Sequence, residues 1–195
     1  MNIRRICVFC GSNLGTSPAY RAAAVDLGQL LARRGVELVY GGGNVGLMGV
    51  LADAVLQAQG RVIGVIPESL MAKEVGHSGL TEMRIVKSMH ERKALMADLS
   101  DGFIAMPGGF GTFEEFCEVV TWSQLGIHAK PCGLLNIEGY YDPLLALFDL
   151  AVCEGFLCEE NRRLVREDCD PTRLLQKMQQ FHVTTVGKWI SGDER

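Results

Sequence analysis

Residues 36–49 read VELVYGGGNVGLMG, and the pattern of the chain changes partway through them. VELVYGG is a short apolar run of strand type, whereas VGLMGVLADAVLQAQG repeats its apolar residues at helical spacing and ends at Gly60. A strand passing through glycines into a helix is half of a β-α-β unit. The same switch lies upstream, where IRRICVFC (3–10) reads as a strand. The helix SPAYRAAAVDLGQLLARRG then opens with Ser17 as N-cap and Pro18 at the first helical position, and closes at Gly35.

Downstream, RVIGVIP is a third strand, followed by a polar stretch to about Gly79 and a short strand, TEMRIV. SMHERKALMADLS reads as a helix, GFIAMP as a strand, TFEEFCEVVTWSQLG as a helix and PCGLLNI as a strand. YYDPLLALFDLAVCEG and PTRLLQKMQQFH are the last helices. Alternation with short connections predicts an α/β fold: one doubly wound, Rossmann-like domain over residues 1–182, mainly parallel, with helices on both faces of the sheet. Residues 183–195 are expected to form a weakly structured tail.

Composition sets bounds on function. The 195 residues suit one domain, and 48% apolar with 22% charged is ordinary for a globular chain. A net charge of −4 does not recommend a nucleic-acid or membrane surface as partner. Acidic residues thicken near the C-terminus (Glu154, Glu159, Glu160, Glu167, Asp168, Asp170), which reads as a solvated face. MNIRRICVFC is too short an apolar run for a signal peptide, and no stretch reaches the ~18 residues of a membrane span. Seven scattered cysteines predict reduced thiols and a cytoplasmic location. Cys7 and Cys10 lie three apart on a strand, on opposite faces, which favours buried structural cysteines over a redox pair. Neither the cysteines nor the four histidines have metal-ligand spacing, so no metal is expected.

Three glycine-containing loops, CGSN (10–13), GGGNVGLMG (41–49) and PGGFGT (107–112), each follow a strand and precede a helix. In a parallel sheet all three fall on one edge, where backbone N–H groups and helix dipoles favour a phosphorylated ligand. Gly41-x-Gly43-x-x-Gly46 matches the dinucleotide fingerprint, but on the second strand and without the usual acid closing the next one. In the helix from Ser88, Met89, Leu95, Met96 and Leu99 cover roughly 120° of arc, with Arg92 near its middle and Lys93 at its edge. Ser88 and Glu91 form a capping box, so Arg92 lies where the dipole disfavours a cation. Such an arginine needs an anionic ligand, a structural carboxylate, or a path to solvent. Thr112 and Glu115 also match a capping box, which would hold Glu115 ionised as a base or electrostatic stabiliser. Glu114 points about 100° away.

MHERK (89–93) together with PGGFGTFEE (107–115) resembles the LONELY GUY family of cytokinin-activating phosphoribohydrolases, often labelled lysine decarboxylases. CGSN, YGGGNVGLMG and IPESLMAKEV look like further segments of that family, although plant members tend to read MPREI where this chain has MAKEV. The resemblance spans roughly residues 5–180. It implies a homodimer that needs no cofactor and hydrolyses the N-glycosidic bond of N6-modified adenosine 5′-monophosphates, including cytokinin riboside 5′-monophosphates. It also implies Arg92 and Glu115 as catalytic residues. Substrate contacts are implied at Glu74, Arg92, Lys93, Gly108, Gly109, Phe110, Gly111, Thr112, Phe113, Glu114, Glu115 and Thr121, with 108–112 holding the phosphate. The acid that protonates the leaving base is not identified; Glu74 and solvent are candidates.

The alternative is a non-catalytic carrier of a nucleotide or of the molybdenum cofactor, similar in fold. A nicotinamide-dependent oxidoreductase rests on Gly41–Gly46 alone. A pyridoxal-phosphate decarboxylase would need Lys73, Lys87, Lys93 or Lys130 as its Schiff-base lysine, and none lies in a recognisable motif.

Overall fold

A computed structural model describes residues 2–71 and 76–181. Seven strands form one all-parallel sheet: β1 (Arg5–Phe9), β2 (Glu37–Tyr40), β3 (Val62–Pro67), β4 (Glu82–Val86), β5 (Gly102–Ala105), β6 (Cys132–Leu135) and β7 (Val165–Asp168). Their order is β4-β3-β2-β1-β5-β6-β7. The chain winds outward from β1 to β4, then returns to the other side of β1 with β5. The β1–β5 junction is therefore the switch point, beyond whose carboxyl ends such sheets bind ligands.

Both faces of the strands are covered, which is why they read as continuous apolar runs. On β1, Ile6 and Val8 join the core beneath α1 (Pro18–Arg33), α2 (Gly46–Gln57) and α8 (Pro171–Gln179). Cys7 and Phe9 join the opposite core, with Met96 of α4 (Met89–Leu99) and Phe116 and Val119 of α5 (Phe110–Gln124). Cys7 and Cys10 thus belong to different cores, and all seven cysteines are free thiols. Helix α6 (Asp142–Cys153) lies outermost beside α5 and buries no residue completely.

The structure corrects three local expectations. The polar stretch after β3 begins with a one-turn helix, α3 (Glu68–Met71). The acidic C-terminal region is not merely a solvated face: it contains α7 (Glu159–Arg162) and the edge strand β7, in which Asp168 holds Arg173 and Lys177 at 2.8 and 3.0 Å. Finally, α5 begins at Phe110, with Gly109 as N-cap. Thr112 is therefore a buried residue of the first turn rather than a cap, and the expected capping box with Glu115 does not exist. The expected tail, 183–195, lies outside the described residues. Among the described residues no helix is long and apolar enough to cross a membrane.

Candidate active site

The three glycine loops meet at the switch point. The Gly11 N–H donates to the Pro107 carbonyl at 3.1 Å, and the Gly11 carbonyl accepts from the Leu47 N–H at 3.0 Å. Gly46 has φ +57°, and a Cβ there would lie 2.2 Å from Ser12 backbone, so only glycine lets α2 start this close to the first loop. A cleft of about 190 Å³ opens between Ser12, Asn13, Gly108, Gly109 and Tyr140. At its floor α5 starts with a glycine N-cap and no side-chain capping bond. Its first backbone N–H groups are therefore left to a ligand or solvent, the usual arrangement for an anion.

Arg92 is 6% exposed and lies within the apolar stripe of α4. Ser88 caps this helix by accepting from the Glu91 N–H at 3.1 Å, while the Glu91 carboxylate accepts from the Lys87 N–H, one residue earlier than a standard capping box. The Arg92 guanidinium reaches the β2 edge, where Nη2 donates to the Gly41 carbonyl at 3.2 Å. A Cβ on Gly41 would lie 1.9 Å from that Nη2, so the first glycine of the fingerprint makes room for an arginine. Arg92 Nε is buried without an acceptor among the described residues. A buried donor in that state costs about 1–3 kcal/mol, which an anionic ligand would relieve.

Glu115 is half-buried on the second turn of α5. It and Arg92 act on the same thiol from opposite directions. Burial first, then the Glu115 charge, push the Cys7 pKa up, and the Arg92 charge pulls it down. Cys10 is likewise raised, by burial and by Glu115. The charges of both residues implied as catalytic are therefore felt at β1, the strand at the switch point.

The other expected residues divide. Gly108, Gly109, Gly111 and Thr112 form the loop and first turn, with Thr112 packed over Gly108. Phe110 is 91% exposed. Phe113 turns toward Tyr140 and Tyr141, with ring centroids 6.4 Å apart in each case. Lys93 Nζ donates to Glu114 at 2.6 Å and to Glu118 at 3.0 Å. Thr121 is not brought to the loop: it lies ~16 Å farther along α5, its hydroxyl bonds the Cys117 carbonyl at 2.7 Å, and it lines a separate apolar cavity of about 270 Å³. Glu74 lies outside the described residues. Among the described residues no group of three or more His, Cys, Asp or Glu is arranged to hold a metal ion.

Sequence reading missed the supports of the phosphate-type loop. Tyr140 donates to the Gly108 carbonyl, and Tyr141 donates to the Met106 carbonyl at 2.6 Å. The Asn136 side chain fixes this pair by accepting from the Tyr141 N–H and donating to Asp142, both at 2.7 Å. The signal was YYDP four residues beyond a strand, where two aromatic hydroxyls can reach the neighbouring loop.

A family model described as "Possible lysine decarboxylase" matches residues 48–178. A rice protein (Oryza sativa subsp. japonica) named "Probable cytokinin riboside 5'-monophosphate phosphoribohydrolase LOGL1" is 56% identical over 177 residues, 91% of this chain and 79% of its own length. Cytokinin riboside 5′-monophosphate phosphoribohydrolase LOG3 of Arabidopsis thaliana is 51% identical over 178 residues, 91% of this chain and 83% of its own. Among solved structures, the molybdenum cofactor binding protein of Rippkaea orientalis superposes with a TM-score of 0.69 over 92% of this chain and 98% of its own, at 24% identity, a likeness of fold.

Proposed function

The chain belongs to the LONELY GUY family, whose matched members are named cytokinin riboside 5′-monophosphate phosphoribohydrolases, and we infer that it carries out their reaction. It adds water across the N-glycosidic bond of adenosine 5′-monophosphates modified at N6, giving the free base and ribose 5-phosphate. One observation carries this: a half-buried carboxylate, Glu115, lies on the helix that starts uncapped at one glycine loop, and a buried guanidinium with an open Nε, Arg92, bonds the Gly41 carbonyl of another.

Each part has a role in such a hydrolysis. The N–H groups of residues 109–112 hold the 5′-phosphate, and binding that remote group positions C1′ of the ribose. As the bond to the base breaks, positive charge grows on the sugar, as in other oxocarbenium-like glycoside cleavages. The Glu115 carboxylate stabilises that charge and orients the attacking water, whose hydroxyl goes to C1′ and whose proton ends on the base. Arg92, a guanidinium that does not give up its proton, anchors substrate through its open Nε. The carrier alternative draws on structural neighbours of 24% identity or less, against relatives above 50% that are named as enzymes.

The same reading includes a cytoplasmic homodimer. Leu147 and Leu150 of α6 are more than half exposed, as are Leu125 and Ile127 beyond α5 and Phe156 beyond α6, an apolar face suited to a second copy. Light scattering behind size exclusion is expected to give twice the chain mass. To test the activity, purified protein is incubated with AMP and with N6-isopentenyl-AMP beside Glu115→Gln, and products are separated by chromatography. Free base from the wild type alone is expected; equal turnover by the variant would remove Glu115 from its role.

A further inference from the structure

We propose that Lys93, Glu114 and Glu118 form an ionic clasp that sets Glu115 relative to Arg92; the proposal builds on the hydrolase reading above. Lys93 Nζ lies 2.6 Å from Glu114 and 3.0 Å from Glu118, and the lysine side chain is only 12% exposed. Glu114 and Glu118 are one turn apart on α5, a spacing at which like charges repel. One ammonium set between them removes that repulsion. Burial disfavours the ammonium, yet the bonds to Glu114 and Glu118 outweigh it and raise the Lys93 pKa above its ordinary value.

The geometry gives the clasp its consequence. Lys93 directly follows Arg92 on α4, and Glu114 directly precedes Glu115 on α5. Neighbours on a helix are related by a fixed ~1.5 Å rise and ~100° turn, so fixing one residue of each pair fixes the other. Glu118, to which the resemblance assigns no role, is thereby a positioning residue for the catalytic pair.

The test is steady-state kinetics of Glu118→Gln, Lys93→Gln and the double variant, with a melting temperature for each protein. The clasp predicts that Glu118→Gln lowers kcat about tenfold, since small misplacements of reacting groups are costly, while KM changes by less than about twofold. It also predicts that the double variant recovers part of what Lys93→Gln loses, because the repulsion left on α5 is relieved. A lower KM at unchanged kcat would mean that Glu118 restrains substrate binding rather than the catalytic pair, and overturns the proposal. No change in either constant also overturns it. The melting temperatures separate this from the function itself. If the wild type releases no base, the hydrolase reading falls, and the clasp stands or falls on whether the losses in the double variant are non-additive; additive losses overturn it.

Discussion

Gly41→Ala is the sharpest perturbation of the catalytic constellation that leaves every proposed catalytic atom in the protein. The added Cβ would lie 1.9 Å from Arg92 Nη2 and 3.1 Å from Cζ. Non-bonded atoms settle near ~3.5 Å, so the guanidinium must retreat by about 1.5 Å. It then gives up its 3.2 Å bond to the Gly41 carbonyl. Because the obstructed group is the end of a flexible side chain, the folding cost should resemble ordinary overpacking, about 1–3 kcal/mol. A melting temperature lowered by several degrees, about 2–4 °C per kcal/mol for this size, is the expected readout. The catalytic cost is larger in proportion: a shift of this size at a group that orients substrate should lower kcat about 100-fold. Chromatographic assay of base release, run well below the variant's melting temperature, separates the two effects. If Gly41→Ala keeps wild-type kcat while Arg92→Gln is inactive, then the position of the guanidinium beside Gly41 is immaterial, and the reasoning from this contact fails.

Three further outcomes can be checked with the same assays. A Cβ on Gly111 meets nothing within 4 Å, so Gly111→Ala should stabilise α5 by up to about 1 kcal/mol yet raise KM for the nucleotide, because the open space is where the phosphate is expected. Tyr140→Phe removes the hydroxyl that holds the Gly108 carbonyl but keeps the ring packing on Tyr20 and Phe113, so KM should rise several-fold with little loss of stability. Burial first, then Lys130, hold the His128 pKa below 6.5, so the folded chain resists a proton that the unfolded chain accepts. Stability should therefore fall as pH drops below 6.5, and the melting temperature of His128→Gln should be less sensitive over that range.

The parts legible in the sequence were those set by local pattern. Strand and helix alternate because their apolar periods differ, and the parallel sheet follows from the short connections. Arg92 was legible as an anomaly, a cation in an apolar stripe at the unfavourable end of a helix, and it is buried. What it faced was not legible, since the Gly41 carbonyl lies 51 residues away in the chain. Strand β7 was missed because only Val165 of its four residues is apolar; as an edge strand beside β6 alone, it is held by backbone pairing and by Asp168. Thr112 was misread for a different reason. Thr-x-x-Glu is a fair capping signal, but Gly109 can cap with no side chain, and the helix gained two residues ahead of the threonine. Glu115 therefore sits on the second turn, where the dipole, which fades within the first turn, holds it less than a capping box would.

The label of lysine decarboxylase can be weighed on the lysines themselves. A Schiff-base lysine must present a neutral amine, which proteins obtain by lowering its pKa through desolvation or a neighbouring cation. Lys93 has the opposite environment: two carboxylates hold its ammonium, and its pKa is raised. Lys130 Nζ donates to the Ala97 carbonyl at 2.7 Å, near the end of α4, where a cation satisfies an open carbonyl and suits the helix dipole. Both lysines are thus engaged in tying elements together. The phosphate-type loop is a different matter, because any enzyme that grips a phosphorylated molecule could use it. A cofactor phosphate and a substrate phosphate look alike to an uncapped helix. What distinguishes them is the chemistry set beside the loop, and here that is the Glu115 carboxylate on the helix the loop starts, a group suited to stabilising a sugar cation and ill suited to carrying an imine.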